Sequence, residues 1–481
     1  MPLIKQNMTD DQKLATDIQS RPLPRLLLYS KAGAIPYLDS NFVLKNDGVI
    51  FRDDEENQKE QRQLTTLFIG DLYDLHMNGV LNQFPKMSYF ANANFLVTLS
   101  DPLVASYQDL KSTPAAVPLI TYHGKRMFTV EQLLDIVRQT GAVAFQSLAD
   151  INTPPTAGKK WTTKAATRSV AMLEEVLEKR GRAAEVKNDE GDQSTKRLKT
   201  SLEESKSLSS VWATCSGGYS ARDRTTCCKA ISDAHANNLL AGVVIDGFFG
   251  YHTTREVEVE GEEGGKGGHR RDVLEVVDQL TAPITKLIKE VVLPALPPAL
   301  PRYLPGALLP DDMLRAVGQL GIDSLDSSIA SLLTAAGVAL PSPLIDLAAL
   351  RLRFSRHHQS STNEDGSSPS PASPPSPSPS SSSPTWLLDL TGEEHRRSAM
   401  AISGGCDCHT CQNGYSRAYI NHLLRRHELN GSMLLQAHNH WALTVFFAHL
   451  RRLTREEKME GLLRNSGLLE EEEKKDGISS S

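Results

Sequence analysis

The sequence predicts an α/β fold with a parallel sheet, and three observations lead there. Strand-like and helix-like runs alternate along the chain, which is the signature of β–α units. The length of 481 residues exceeds the ~250 residues that a barrel commonly uses as one domain. A hydrophobic content of 40% is enough for a sizeable core. In chain order, strand-like runs fall at 26–29, 95–99, 143–146, 211–215, 243–246 and 386–390. Helix-like runs fall between them at 130–139, 163–179, 222–236, 272–292 and 311–320. Thr129 with Gln132 forms a capping box for the first of these helices. The alternation by itself leaves two architectures open, an open doubly wound sheet and a closed (β/α)8 barrel.

Several segments interrupt this pattern. Residues 356–384 are Ser/Pro-rich, with a core reading SSPSPASPPSPSPSSSSP. Such sequence buries too little apolar surface to offset its ordering entropy, so a disordered linker is expected. Residues 181–210 are charged and Ser/Lys/Glu-rich and read as a disordered insertion; residues 256–268, EVEVEGEEGGKGG, read as a surface-loop insertion. The KRLK run at 196–199 reads as a solvated loop patch. These boundaries divide the chain into an α/β body at 1–355, the linker at 356–384, a region at 385–465 that completes the body and carries a helical subdomain, and a charged tail at 466–481.

Composition narrows the function classes. A net charge of −6 argues against a free-standing nucleic-acid binder, so any RNA contact needs a local basic patch or a partner. The first residues, MPLIKQNMTDDQKLATDIQ, lack the apolar core of a signal peptide and carry acids early. No run reaches the ~18–20 apolar residues of a membrane span, and the most apolar stretch, 287–309, is broken by five prolines. Six cysteines with a metal-type cluster fit a reducing compartment, and a cytoplasmic location is expected.

The densest chemical signal lies near the C-terminus. Cys406, Cys408 and Cys411 form C-x-C-x2-C, and His438 follows in LLQAHNHW. Three thiolates and an imidazole are the donor set of a closed tetrahedral zinc site. Gly404 and Gly405 ease the bend of the loop. Apolar residues at Tyr415, Tyr419, Ile420, Leu423 and Leu424 have helical spacing, Gly431 interrupts it, and a second stripe runs through Leu434, Ala437, Trp441, Val445 and Ala448. A second helix returning antiparallel to the first would bring His438 back to the cysteines. One structural Zn2+ per subunit is expected.

These residues also carry a family resemblance. The run CDCHTCQNGYSRAYINHLL with the later AHNHW resembles the C-terminal zinc subdomain of the tRNA-guanine transglycosylases, with Gly414 as a one-residue insertion before SRAY. Weaker similarity extends through RLLLYSKAGAIPYL, LVTLSDP, AFQSLAD, VVIDGFFG and PDDMLRAVGQLGIDSLD. The resemblance implies a (β/α)8 TIM-type barrel with an attached zinc subdomain. It also implies base exchange, guanine for queuine, at the wobble position of tRNAs for Asp, Asn, His and Tyr.

The chemistry such exchange needs is only partly present. Displacement at C1′ uses a carboxylate nucleophile and a second group for proton transfer. Asp326 falls at the nucleophile position of the family's motif, in Gly321-Ile322-Asp323-Ser324-Leu325-Asp326. Ala330, Ser331 and Leu332 then stand where the family has Pro-Thr-Arg. The family's D-S-G-G-F-Q run is absent, its best match being Asp101-Pro102-Leu103. The base-pocket glycines are reduced to Ser216-Gly217-Gly218, and Phe248 and Phe249 replace smaller residues after Asp246-Gly247, crowding a purine slot. Asp326 is therefore expected to cap a neighbouring helix at a strand end rather than to attack a ribose.

The expectation is a non-catalytic family member that pairs with a catalytic queuine tRNA-ribosyltransferase subunit in a heterodimer and touches tRNA through the complex. Arg417, Arg425, Arg426, Arg451, Arg452 and Arg455 are candidate phosphate contacts, or else a solvated helix face. Trp441, Phe446 and Phe447 are expected in core packing. Two other readings stand beside this one: an active transglycosylase using Asp326, and a repurposed zinc-stabilised interaction protein.

Overall fold

The computed structural model describes residues 23–45, 64–84, 94–104, 111–189, 209–249, 277–342 and 387–459, with 461 and 463. Eight parallel strands close into a barrel: β1 (Arg25–Tyr29), β2 (Leu64–Phe68), β3 (Asn94–Thr98), β6 (Ala144–Gln146), β7 (Ser210–Cys215), β8 (Gly242–Ile245), β9 (Arg302–Tyr303) and β10 (Ser324–Asp326). They follow sequence order around the ring, and β10 returns to β1 with Leu27 opposite Asp326. The closed architecture is thus the one formed. A hairpin, β4 (Val117–Thr121) with β5 (Gly124–Phe128), leaves the ring after β3.

Helices pack outside. In chain order they are α1 (Ser40–Lys45), α2 (Ile69–Met77), α3 (Val130–Thr140), α4 (Lys159–Asp189), α5 (Ala221–Ala236), α6 (Ala282–Leu287), α7 (Pro310–Leu320) and α8 (Ser328–Ala335). The Thr129/Gln132 capping box starts α3, and Gly141 ends it at φ 65°, a left-handed backbone that glycine adopts without steric cost.

Inside the barrel one layer is built from Leu27, Leu64, Leu96, Ala144, Trp212, Val244 and Tyr303, one inward residue from each of seven strands. Trp212 fills the floor because Gly242 beside it has no Cβ; one placed there would come within 2.5 Å of the indole. The larger apolar cluster joins the outer strand faces to the helices.

The remaining elements form the second lobe: β11 (Val338–Ala339), β12 (Leu388–Asp389), α9 (His409–Gln412), α10 (Arg417–Arg425) and α11 (Leu429–Arg455). The strand-like run at 386–390 yields β12, but it pairs antiparallel with β11 rather than entering the barrel. Residues 387–459 contribute to the barrel through a helix instead: Ala442, Leu443, Phe446, Phe447 and Leu450 of α11 join the main core. This puts Phe446 and Phe447 in core packing, with Trp441 half-buried.

Two boundaries differ from expectation. α4 runs on to Asp189, past the boundary expected at 181. The helix expected over 272–292 is not formed at 277–281; it is helical from Ala282, with Pro283 in its first turn, and passes into a π-turn at Ile288–Val292, while 272–276 lie outside the described residues. Residues 190–208, 256–268, 356–384 and 466–481 lie outside the described residues.

Candidate metal centre and barrel mouth

Two short helices and one long one assemble the cysteine cluster. Gly405 turns the chain at φ 74° before Cys406. Cys408 caps α9, its Sγ accepting from the Cys411 amide at 3.3 Å. Thr410 donates its hydroxyl to the Leu434 carbonyl at 2.6 Å, which ties α9 to α11. His438, on α11, then faces the sulfurs. Its Nδ1 is 3.7 Å from Cys406 Sγ, 3.3 Å from Cys408 Sγ and 3.5 Å from Cys411 Sγ. The four donor atoms lie within 4.8 Å of one another.

The arrangement fits a tetrahedral cation. Bonds of ~2.3 Å to sulfur and ~2.0–2.1 Å to nitrogen place the corners of a zinc tetrahedron about 3.5–3.8 Å apart. The imidazole tautomer is also set: His438 Nε2 is 2.8 Å from the Leu340 carbonyl, a hydrogen bond that leaves Nδ1 free for a metal. Asn439 holds the same strand end, accepting from the Leu340 amide at 2.8 Å and donating to Val338 and Thr334. Crowding of these buried groups perturbs them. Hydrogen bonds with Cys408 and Cys411 hold the Cys406 thiol far below its ordinary range, and those with Cys406 and Cys411 push the Cys408 thiol far above it. Burial disfavours the His438 imidazolium, yet the Cys406 and Cys411 sulfurs raise it to about 9. Cys406, Cys408, Cys411 and His438 can hold a metal ion such as zinc, which would supply the positive charge that three crowded sulfurs call for.

The barrel mouth is organised differently. Asp326, at the end of β10, is fully buried. Its Oδ2 accepts from the Tyr303 hydroxyl at 2.9 Å and the Gly306 amide at 3.2 Å, and its Oδ1 accepts from the Ser328 amide at 3.0 Å in the first turn of α8. Burial outweighs these bonds and pushes its carboxyl up to about 6. Asp101 accepts from the Tyr29 hydroxyl and the Leu103 amide, both at 2.9 Å, and pairs with Lys31, which also reaches Asp71. Burial works against the Lys31 ammonium, but the two carboxylates hold its pKa above the usual lysine range. Asp246 accepts from Gln146 at 2.7 Å and from the Gly247 amide at 2.6 Å. Between Asp101 and Asp246 lies a cavity of about 60 Å³, walled by Leu119, Ile120, Asn152 and Phe249. That exceeds the ~10–15 Å³ a single water needs, so solvent can enter between the two carboxylates.

Barrel, cysteine loop and His-Asn helix together match one known family. The queuine tRNA-ribosyltransferase profile covers residues 57–466. The chain belongs to the queuine tRNA-ribosyltransferase family. Among curated relatives it is similar to queuine tRNA-ribosyltransferase accessory subunit 2 of Drosophila grimshawi, 26% identical over 450 residues, 92% of this chain and 84% of that protein. The protein of the same name in Ixodes scapularis is 26% identical over 447 residues, covering 92% and 91%. The one in Gallus gallus is 23% identical over 445 residues, covering 92% and 89%.

Within this queuine tRNA-ribosyltransferase family member, the two phenylalanines expected to crowd the base slot part company. Phe249 lines the cavity, and its ring occupies the space a Cβ on Gly306 would need, 2.7 Å away. Phe248 turns inward, with the Arg224 guanidinium 3.7 Å above its ring. Arg224 is the residue that sequence reasoning missed. It is fully buried and donates to the carbonyls of Cys215, Gly218 and Asp246 at 2.7, 2.9 and 2.8 Å. Its one sequence signal is the SGGYS run just upstream, where Gly217 and Gly218 take positive φ and Gly218 turns its carbonyl to the guanidinium.

The six candidate arginines also separate. Arg451 is 4% exposed and donates to the Pro24 carbonyl at 3.4 Å, so it braces the base of β1 and offers nothing to a phosphate. Arg417 is spent on the Ala401 and Ile402 carbonyls at 2.9 and 2.8 Å, beside the cysteine loop. Arg425, Arg426, Arg452 and Arg455 are exposed, with Arg425 paired to Glu393. Among the described residues no helix is long and apolar enough to cross a membrane.

Proposed function

We propose that this chain is the accessory, non-catalytic subunit of a heterodimeric queuine tRNA-ribosyltransferase. Its partner is the catalytic subunit, and the pair exchanges guanine for queuine at the wobble position of tRNAs for Asp, Asn, His and Tyr in the cytoplasm. The observation that carries this reading is the state of Asp326. A nucleophile needs a lone pair aimed at open space where C1′ can sit. Asp326 is enclosed, and both its oxygens accept hydrogen bonds from Tyr303, Gly306 and Ser328. The accessory-subunit names of its relatives agree.

In this reading Cys406, Cys408, Cys411 and His438 hold one structural zinc, since four protein donors complete the tetrahedron and leave no position for an activated water. Of the candidate arginines, exposed Arg425, Arg426, Arg452 and Arg455 are the cations that can meet tRNA phosphates. The test is a base-exchange assay with labelled guanine and tRNA. The chain alone gives no exchange, the catalytic partner restores it, and Asp326→Asn leaves the reconstituted activity within about twofold. Loss of turnover in that variant, with complex formation intact, would make Asp326 the nucleophile and overturn the reading.

A further inference from the structure

The β4–β5 hairpin stands out from an otherwise acidic chain. From 110 to 130 the sequence carries Lys111, His123, Lys125 and Arg126 and no aspartate or glutamate, against a net charge of −6 overall. A two-residue loop places Tyr122 and His123 at the tip, closed by Gly124 at φ 82° and by the Thr121 hydroxyl donating to the Gly124 carbonyl at 2.8 Å. Tyr122 is 87% exposed. Its ring is packed edge-on against His123, 5.3 Å between centroids.

The base of the hairpin is fixed while the tip is presented. Val117, Leu119 and Phe128 are buried, and the Phe128 ring lies 5.3 Å from Tyr73. Gly70 lets α2 pass directly under the Ile120 carbonyl, which a Cβ would meet at 2.1 Å. Asn152 donates to the Pro118 carbonyl at 2.9 Å. Leu119 and Ile120 also wall the mouth cavity, so the hairpin rises beside the C-terminal ends of the barrel strands.

We infer that this hairpin tip is an RNA contact, with Tyr122 stacking on an unpaired base and Lys125 and Arg126 meeting the flanking phosphates. The inference rests on the proposed accessory role and names a surface for it. An exposed aromatic ring amid cations is the chemistry of single-stranded nucleic-acid binding. A protein-docking patch would surround Tyr122 with apolar side chains; the four residues that follow it in the chain, His123, Gly124, Lys125 and Arg126, include none. Asp74 offsets part of the local charge, lying 3.3 Å from His123, and Arg126 rests over Tyr73 at 5.9 Å; Lys125 is exposed.

The experiment is fluorescence anisotropy of a labelled, unmodified tRNA transcript with the full chain. Tyr122→Ala should weaken binding about tenfold, and Tyr122→Phe should restore it, since stacking needs only the ring. Lys125→Gln with Arg126→Gln should reduce the slope of log affinity against log salt by about 1.4, some 0.7 per lost phosphate contact. Leu429→Ala, an exposed apolar residue on α11, should change neither. If the wild-type chain binds and the tip variants bind equally well, the hairpin assignment is wrong and the accessory role stands. If the wild-type chain binds no tRNA, alone or with the catalytic subunit, both fall. If Tyr122→Ala abolishes capture of the catalytic subunit while tRNA binding is unchanged, the tip is a protein contact and the inference is overturned.

Discussion

The cysteine cluster and the barrel mouth each gather charged or ionisable side chains in buried surroundings, but they are wired in opposite ways. At the cluster the donors Cys406, Cys408, Cys411 and His438 point at one another, within 4.8 Å. At the mouth Asp101, Asp246 and Asp326 each point at their own protein donors: Tyr29 and Lys31, Gln146 and Gly247, Tyr303, Gly306 and Ser328. Convergent donors form a site for something from outside. Acceptors that are individually satisfied form a brace. On the proposed reading, the difference teaches how a carboxylate that falls where the family resemblance puts a nucleophile can persist as structure, its oxygens accepting from Tyr303, Gly306 and Ser328.

The strongest way to break this comparison is at the cluster. Cys408→Ser or His438→Ala should remove most of the zinc, read by elemental analysis of the purified chain. The lobe of β11, β12, α9 and α10 should then lose at least about 5 kcal/mol, a fraction of the ~10–16 kcal/mol that zinc contributes in small finger peptides. Full zinc occupancy in a Cys406→Ser/Cys408→Ser chain would show that the donors do not act as a set.

A smaller effect is expected on the bracing side. Arg224→Met keeps most of the side-chain volume but strands the carbonyls of Cys215, Gly218 and Asp246. Three neutral carbonyls left unbonded cost at least ~1 kcal/mol each, so urea unfolding should show a loss of roughly 3–5 kcal/mol. A loss below about 1 kcal/mol would mean that water replaces the guanidinium and that the mouth is looser than its bonds indicate.

The mildest effect separates brace from site through pH. Asp326 is pushed up to about 6 in the folded chain, against ~3.9 in an unfolded one. Below about pH 4 both states hold the proton and the full contribution to stability is present. As pH rises from about 4 to 6 the unfolded chain releases its proton first, so stability falls by roughly 2–3 kcal/mol and stays lower above that range. Asp326→Asn has no such titration. Its stability relative to wild type should therefore improve between about pH 4 and pH 7, measured as the gap in urea midpoints. A gap that is flat across that window would place the Asp326 pKa near its ordinary value and open the carboxylate to chemistry.

Legibility in the sequence followed how local each signal was. C-x-C-x2-C lies within six positions, and His438 sits on a helix whose period is visible, so the donor set could be named before any coordinates. The Thr129/Gln132 box was equally local. The strands β2, β9 and β10 gave little: β9 is two residues long between Pro301 and Pro305, and its pairing comes from β8 and β10 on either side. Arg451 and Arg426 look alike in a helical sequence. Only packing separates the one buried against Pro24 from the one in solvent.

By itself, then, the sequence determined the β–α alternation, the metal donor set and the family, because each is written in residue type and short spacing. The tertiary structure decided that the sheet closes, that Phe248 turns under Arg224 while Phe249 walls the cavity, and that Asp326 is tied to Tyr303, Gly306 and Ser328. Those outcomes depend on hydrogen bonds and contacts between residues distant in sequence. Whether a carboxylate is a nucleophile or a brace depends on where its lone pairs point, which no spacing along the chain encodes.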